Sequence, residues 1–408
     1  MAQSFFTFNK DNPIKYEDKN HNNCKRCKLF QSCSSPDLKI IGKGEKEILI
    51  VTGIVSPTED ESGVPLAGTS GTYLRAIFNE EGISVKKDCW YVNAVRCMST
   101  ADKPTDSQIT LCRHKLIKDI QDIKPKLVIL MGTIACASFL KDIWGSNIGS
   151  INRWEGSIIP IYKYNTWALF TYDPIKVLTA KGDMIEEIMR RSLKKGLKYI
   201  NKKVPAEPDY SNAITKLTNP DKINVYLEDL FNRKPKEIAF DYETTGLKPH
   251  NKAHKIVSCA ISEDDSTATS FLMYLQIKDN LKRILSCPDI GKIATNMKYE
   301  HNWTKTKLGI DVENWIWDTM LISHILDNRR QITGLKFQAF VNFGVVGYDK
   351  GIDYYFGYDD DSKGTNSINR INKINTNKLL TYNGMDSLLE FKLAKLQMRQ
   401  MKKFERLL

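Results

Sequence analysis

No apolar run in this 408-residue chain approaches the ~18 residues that a helix needs to cross a bilayer, which excludes a membrane-spanning role. The opening MAQSFFTFNKDNPIKYEDKN lacks the charged-then-apolar layout of a secretory signal. A cytoplasmic location is therefore expected, the host's cytoplasm if the protein is viral. The nine cysteines should then meet a reducing environment and act as metal ligands or buried thiols rather than as disulfides. No internal repeat or low-complexity tract stands out. A hydrophobic fraction of 41% with 10% aromatics excludes a disordered tail protein.

The length suits two or three domains at ~150 residues each. Lys and Arg number 60 against 48 Asp and Glu, a formal net charge of +12. The excess is shared, with 29 basic against 22 acidic residues in 1–200 and 31 against 26 in 201–408, so neither half alone is the basic one. Such a surface favours an anionic partner. Apolar strands are expected at Glu47–Gly53, Cys89–Val95, Lys126–Gly132 and Trp167–Tyr172. Helical spacing lies between them at Thr72–Glu81, Asp106–Ile123 and Thr133–Leu140, and Ser56 to Gly71 reads as a Gly/Pro-rich loop. Alternation of this kind predicts an α/β domain with a parallel sheet covered on both faces.

A helix from Asp183 carries Ile185, Ile188, Met189, Leu193 and Leu197 on one stripe. Its other face holds Arg190, Arg191, Lys194, Lys195 and Lys198, with no acid in residues 188–206. Two readings stand side by side: a solvated face closing the domain, or a strip that tracks nucleic-acid phosphates. Residues 204–221, with three prolines, read as a linker, which sets domains at 1–203 and 222–408. The second domain opens with three strand-like runs, Glu237–Asp241, Lys255–Ser262 and Ser266–Leu275. Helices are expected near Asp279–Ser286, Tyr299–Leu308, Asp318–Asp327 and Asn377–Met401, and residues 344–376 as a long polar loop. This too is α/β, with a mixed sheet.

Carboxylates punctuate that second domain. Asp241 and Glu243 in FDYETTGL sit at alternate positions of a strand and so leave the same face. Glu300 opens a helix in ATNMKYEHNW. Tyr382 and Asp386 in TYNGMD are four apart on a helix and hence one above the other. Four carboxylates converging from separate elements can hold two divalent cations ~3.5–4 Å apart, the arrangement that hydrolyses phosphodiesters. Oxygen-only ligation predicts Mg²⁺, and Mn²⁺ would fit as well.

With the intervening WDTMLISHILD, these motifs resemble the ribonuclease-H-like 3′–5′ exonuclease domain of family A DNA polymerases across residues 235–400. The resemblance implies that Asp241, Glu243, Glu300 and Asp386 are metal ligands and that Tyr382 positions water. The family's second motif usually ends in Asp. Glu300 is one methylene longer, which bears on metal spacing and rate. Asp318 is read as a helix cap, and Asn296 and Lys298 sit where that family fixes the strand-to-helix turn.

Cys24 and Cys27 form a CxxC in NCKRCKLF, and Cys97 and Cys112 fall near the ends of later elements. Four thiolates suffice for zinc or for an iron–sulfur cluster. Residues 20–180 also resemble family 4 uracil-DNA glycosylases, through EDESGVPLAGTSGTYL, WYVNAVRCMS, LCRHKL and IKPKLVILMGTIA. That resemblance implies a parallel-sheet α/β/α sandwich and a [4Fe–4S] cluster on Cys24, Cys27, Cys97 and Cys112. It leaves Cys33, Cys89, Cys136, Cys259 and Cys287 as buried or inert thiols. Asn93 matches the amide that reads the flipped base, and Glu59 belongs to the pocket loop. Three positions depart from the family. The GEAPG-type loop reads Gly53-Ile54-Val55-Ser56-Pro57, the stacking Phe is Leu66, and the His of the HPS-type loop is Asp173 in TYDPIK. A carboxylate where an anionic leaving group develops opposes catalysis, and losing even one oxyanion donor can cost ~100-fold.

The expectation is therefore a DNA exonuclease domain that follows a degenerate iron–sulfur glycosylase domain, the latter binding DNA or a partner. No polymerase motif is present, so the expected partners are a frayed or single-stranded DNA 3′ end and a separate DNA polymerase subunit. A truncated gene product is the alternative origin. The competing functions are an active uracil-excising repair enzyme and a non-catalytic DNA-binding scaffold.

Overall fold

The computed structural model describes residues 20–405 except 102, 146, 181–182, 209, 211 and 358–366. The opening segment of the sequence lies outside the described residues. Two compact units emerge, one reaching Glu207 and including Phe340–Gly344, the other built from Pro208–Ala339 and Val345–Leu408.

The first unit is a five-stranded sheet in the order β2-β1-β3-β5-β4, with β1 Ile48–Ile54, β2 Cys89–Val95, β3 Leu127–Met131, β4 Ile158–Ile161 and β5 Thr166–Thr171. Ile48 to Val51 and Leu127 to Met131 are completely buried. Unbroken apolar runs of this kind belong to central strands covered on both faces, and β1, β2, β3 and β5 do pair in parallel. The sheet is not wholly parallel: β4 runs antiparallel to β5 at the edge. Its sequence, IIPI, hides a strand behind Pro160, a residue tolerated on an edge because no ladder N–H is missed there. The expected loop from Ser56 to Gly71 contains a helix, Pro57–Ser62, started by a capping box in which Ser56 and Glu59 satisfy each other's backbone N–H.

The second unit holds six strands in the order β11-β10-β7-β8-β9-β6: β6 Ile214–Leu217, β7 Glu237–Thr244, β8 Ile256–Ser262, β9 Ala268–Leu272, β10 Gly291–Ala294 and β11 Trp315–Asp318. β7, β8 and β9 form the antiparallel meander that the three strand-like runs predict. β10 and β11 add in parallel on one side, and β6 pairs in parallel with β9 on the other. The linker reading of 204–221 is corrected here. Its Ile214–Leu217 is a sheet strand, and Asn219 caps a helix, Pro220–Arg233, whose proline sits in the first turn where no N–H is needed. Proline there marks a helix start rather than a flexible tether. Within the expected loop 344–376, a short helix spans Asp353–Phe356, and 358–366 lie outside the described residues.

Alternation along β7 sets the chemistry of this unit. Ile238, Phe240 and Tyr242 point into a core shared with Leu227, Leu281 and Trp303. Ala239 faces the other way and packs on Phe391 and Ala394 of the 30-residue helix Thr376–Glu405. Asp241 and Glu243 share the face of Ala239. The long helix approaches closely at Gly384, where an added Cβ would stand 2.4 Å from Ile214 Cγ2. Gly384→Ala should therefore destabilise the protein by about 1–3 kcal/mol through overpacking, despite a gain of about 1 kcal/mol in helix propensity. In an Ile214→Ala background the same change should cost less. Urea denaturation of the four-protein cycle measures this, and strictly additive costs would contradict the packing account.

Candidate active site and thiol pocket

Among the described residues, one set of three potential metal ligands comes together: an oxygen from each of Asp241, Glu243 and Asp386 lies within 4.8 Å of the others. Two come from β7 and the third from the long helix, one turn after Tyr382. Asn383 locks the helix to the strand. Its amide donates to Asp241 Oδ2 at 2.7 Å and to the Asp241 carbonyl at 3.3 Å, while its oxygen accepts from the Ser258 hydroxyl. Burial and the charge of Asp386 push the Asp241 carboxyl well up from its ordinary value. Glu243 is raised by burial and by Asp241 and Asp386, with Lys336 opposing. Burial holds Asp386 at about 6 against the pull of Lys336 and the Tyr348 hydroxyl, which donates to it at 2.6 Å. Tyr382 is buried, stacks on Tyr348 at 5.9 Å and is raised by burial and Asp386, so its phenol keeps its proton.

Glu300 stands outside the 4.8 Å set. It is 3% exposed in the first turn of the helix Met297–Leu308, with Oε2 unpartnered and its carboxyl raised by burial and by Asp241. The structure thus brings three of the four expected carboxylates into direct convergence and leaves the fourth one step back. Asp318 caps its helix at Met320 and Leu321, and its two oxygens also accept the N–H groups of Asn296 and Met297, the left-handed turn that launches Glu300. Sequence reasoning passed over Asn383, Tyr348, Lys336 and Glu390. Asn383 lies inside TYNGMD, and Glu390 is one further turn along from Asp386. Nothing in the local sequence marks Tyr348 or Lys336. The donor set is all oxygen, partly dehydrated and crowded with like charge, which fits a hard divalent cation.

In the first unit, Cys24, Cys27, Cys97 and Cys112 line one pocket, with Leu29, Val95, Arg96 and Lys115 among its walls. The N–H of Asp37 donates to Cys97 Sγ at 3.4 Å. Burial pushes the Cys97 thiol up to about 12. No three of these sulfurs lie within 4.8 Å. Cys33, expected to be an inert thiol, is in hydrogen-bond contact with Cys97. Cys89, Cys136, Cys259 and Cys287 are buried.

Glu59, Leu66, Asn93 and Asp173 occupy the ends of β1, β2 and β5 and the loops after them. Glu59 is buried with both oxygens engaged: Oε2 by the Ser56 N–H and hydroxyl, Oε1 by the Leu66 N–H at 2.7 Å and the Tyr91 hydroxyl. The Asn93 amide nitrogen donates to Thr52 Oγ1 and the Ile54 carbonyl, each at 3.0 Å, and its oxygen is buried without a partner. Leu66 holds a left-handed backbone conformation. Asp173 caps the helix Pro174–Thr179 through the Ile175 N–H at 2.9 Å.

Residues 41–242 match the model of the uracil DNA glycosylase superfamily, and residues 214–401 match that of the 3′–5′ exonuclease. The chain joins a glycosylase-superfamily domain to a 3′–5′ exonuclease domain. The second domain makes it a hydrolase of the exonuclease class and implies a divalent metal such as Mg²⁺. The type-4 uracil-DNA glycosylase of Sulfurisphaera tokodaii is 29% identical over 161 residues, 38% of this chain and 71% of that protein. A DNA polymerase of Bacillus phage SP01 is 23% identical over 343 residues, 76% of this chain and 36% of that polymerase. Among solved structures, Brucella melitensis NrnC aligns with 19% identity and a TM-score of 0.35, covering 47% of this chain and 82% of NrnC.

Within the glycosylase-type domain, the basic helix Met184–Leu197 divides its charges. Arg190 is engaged by Glu186 and Glu80, whereas Arg191, Lys194, Lys195 and Lys198 are exposed. Asp173 is held up to about 6, by burial first and by Glu59 in addition. An acid raised above its unfolded value of ~3.9 destabilises the fold as it ionises, so stability is lost as pH rises from about 4 to about 6. Asp173→Asn keeps an acceptor for the helix cap and removes the charge. The variant's melting temperature should match wild type near pH 4 and exceed it above pH 6.5, and a pH-independent difference would contradict this assignment.

Proposed function

We propose that the chain is a metal-dependent 3′–5′ DNA exonuclease that removes nucleotides from a frayed or single-stranded 3′ end, proofreading for a DNA polymerase. The observation that carries this reading is the convergence of Asp241, Glu243 and Asp386 within 4.8 Å beside Tyr382. Likeness to phage DNA polymerases supports DNA rather than RNA as substrate. Asp241, Glu243 and Asp386 would hold one cation, and Asp241 with Glu300 a second. Bound by these residues, divalent cations would supply activation of a water and neutralisation of the departing 3′ oxygen. Tyr382 keeps its phenolic proton and can orient the water by hydrogen bonding. Asn383 and Tyr348 hold Asp241 and Asp386 in position through their hydrogen bonds.

In this reading the glycosylase-type domain retains its fold and a [4Fe–4S] cluster on Cys24, Cys27, Cys97 and Cys112, and does not excise uracil. The cluster reading rests on the four thiols lining one pocket and on the likeness to type-4 uracil-DNA glycosylases. Glu59 is spent on closing its own loop, and Asp173 adds negative charge where a departing uracil anion would need a donor. Arg191, Lys194, Lys195 and Lys198 would track phosphates along the DNA.

The test is a nuclease assay with Mg²⁺ on a 3′-recessed duplex, a single strand and a uracil-containing strand treated with alkali. Stepwise 3′ shortening is expected. It should fall at least ~100-fold in Asp241→Ala/Glu243→Ala, because several kcal/mol of charge stabilisation leave with the ions. Cleavage confined to the uracil strand would overturn the reading in favour of a repair glycosylase. DNA binding without any cleavage would leave only a scaffold.

A further inference from the structure

Glu390 lies on the long helix one turn beyond Asp386, so Tyr382, Asp386 and Glu390 share one side of that helix. It is 1% exposed. One oxygen accepts the Thr295 N–H at 3.1 Å, at the end of β10 just before the turn that launches Glu300. The other oxygen, Oε2, is buried with no partner, as is Glu300 Oε2. The strongest charges acting on Glu390 are acids: Asp241, Glu300 and Asp386. Those acting on Glu300 are also acids, Asp241 and Asp318. Lys336, the ammonium that acts on Glu243 and Asp386, is tied to Asp349 at 2.7 Å. Two buried carboxylates, each with an unpartnered oxygen and acids as the leading charges upon them, form a setting that a bound cation would make favourable. A tether to Thr295 accounts for one oxygen of Glu390 and leaves the other unexplained.

We infer that Glu390 is a fifth carboxylate of the metal centre, supplying with Glu300 and Asp241 the oxygen shell of the second cation. This rests on the exonuclease reading above and deepens it. It also accounts for Glu300 standing outside the Asp241–Glu243–Asp386 set, since Glu300 and Glu390 would serve the second cation.

Titrating the metal-free full-length chain with Mn²⁺, with free Mn²⁺ read by electron paramagnetic resonance, tests the assignment without reference to activity. Glu390→Gln keeps an acceptor for Thr295 and removes the charge. Wild type should bind two Mn²⁺, Asp241→Asn/Glu243→Gln should lose both, and Glu390→Gln should keep the tighter ion while the weaker one loosens ~10–100-fold. Glu300→Gln should behave like Glu390→Gln. Unchanged binding of both ions in Glu390→Gln would overturn the inference, as would a single ion in wild type. A lowered metal-free melting temperature with both ions weakened alike would reduce Glu390 to a structural tether. Absence of any bound Mn²⁺ in wild type would instead bring down the exonuclease reading itself.

Discussion

Five carboxyl groups taken out of water around the end of one strand repel one another, and the exonuclease domain is organised around that repulsion. Lys336 acts on Glu243 and Asp386 against it, but that ammonium is itself paired with Asp349. Hydrogen bonds hold the geometry instead: Asn383 on Asp241, Tyr348 on Asp386 and the Thr295 N–H on Glu390. The carboxyls rise from their usual values because burial and like charge both disfavour ionisation. Such a site is poised for divalent cations, which replace protons and make the crowding favourable. The packing of the long helix on β7 therefore serves chemistry as well as stability. Ala239 contributes to the core, and two and four residues on, the same face carries Asp241 and Glu243.

The glycosylase-type domain handles its polar interior in the opposite manner. Glu59 uses both oxygens on its own loop, and Asp173 spends its carboxylate on a helix start. The Asn93 oxygen nearby is buried without a partner. Four of the domain's thiols gather in one pocket, where burial keeps Cys97 and Cys112 above their ordinary values. Cys33 beside Cys97 adds a fifth sulfur to that neighbourhood.

Much of this was legible in the sequence because local pattern and tertiary role agree. The buried strands β1 and β3 announce themselves as unbroken apolar runs, and Asp106–Ile123 emerges with the bounds that its spacing predicts. Asp241, Glu243, Tyr382 and Asp386 were readable because their spacing matches the period of their own element. What escaped depends on contacts distant in sequence. Tyr348 reaches Asp386 from a polar stretch with no periodicity, and Lys336 gains its role only from the charges it meets. The strands β4 and β6 have four residues each, too short for alternation to register, and prolines in or near both point to a loop. Glu390 lay within reach of the same i, i+4 argument that joined Tyr382 to Asp386. Nothing in the sequence, however, says that its helix position is buried against β10 rather than exposed.

The most direct measurement of the central claim is a crystal structure of the protein soaked in Mn²⁺, with the ions located by anomalous scattering. The account predicts a peak ~2.1 Å from carboxylate oxygens of Asp241, Glu243 and Asp386, with Asn383 and Tyr348 still holding their partners. A crystal saturated with Mn²⁺ that shows no peak among these three side chains would contradict it.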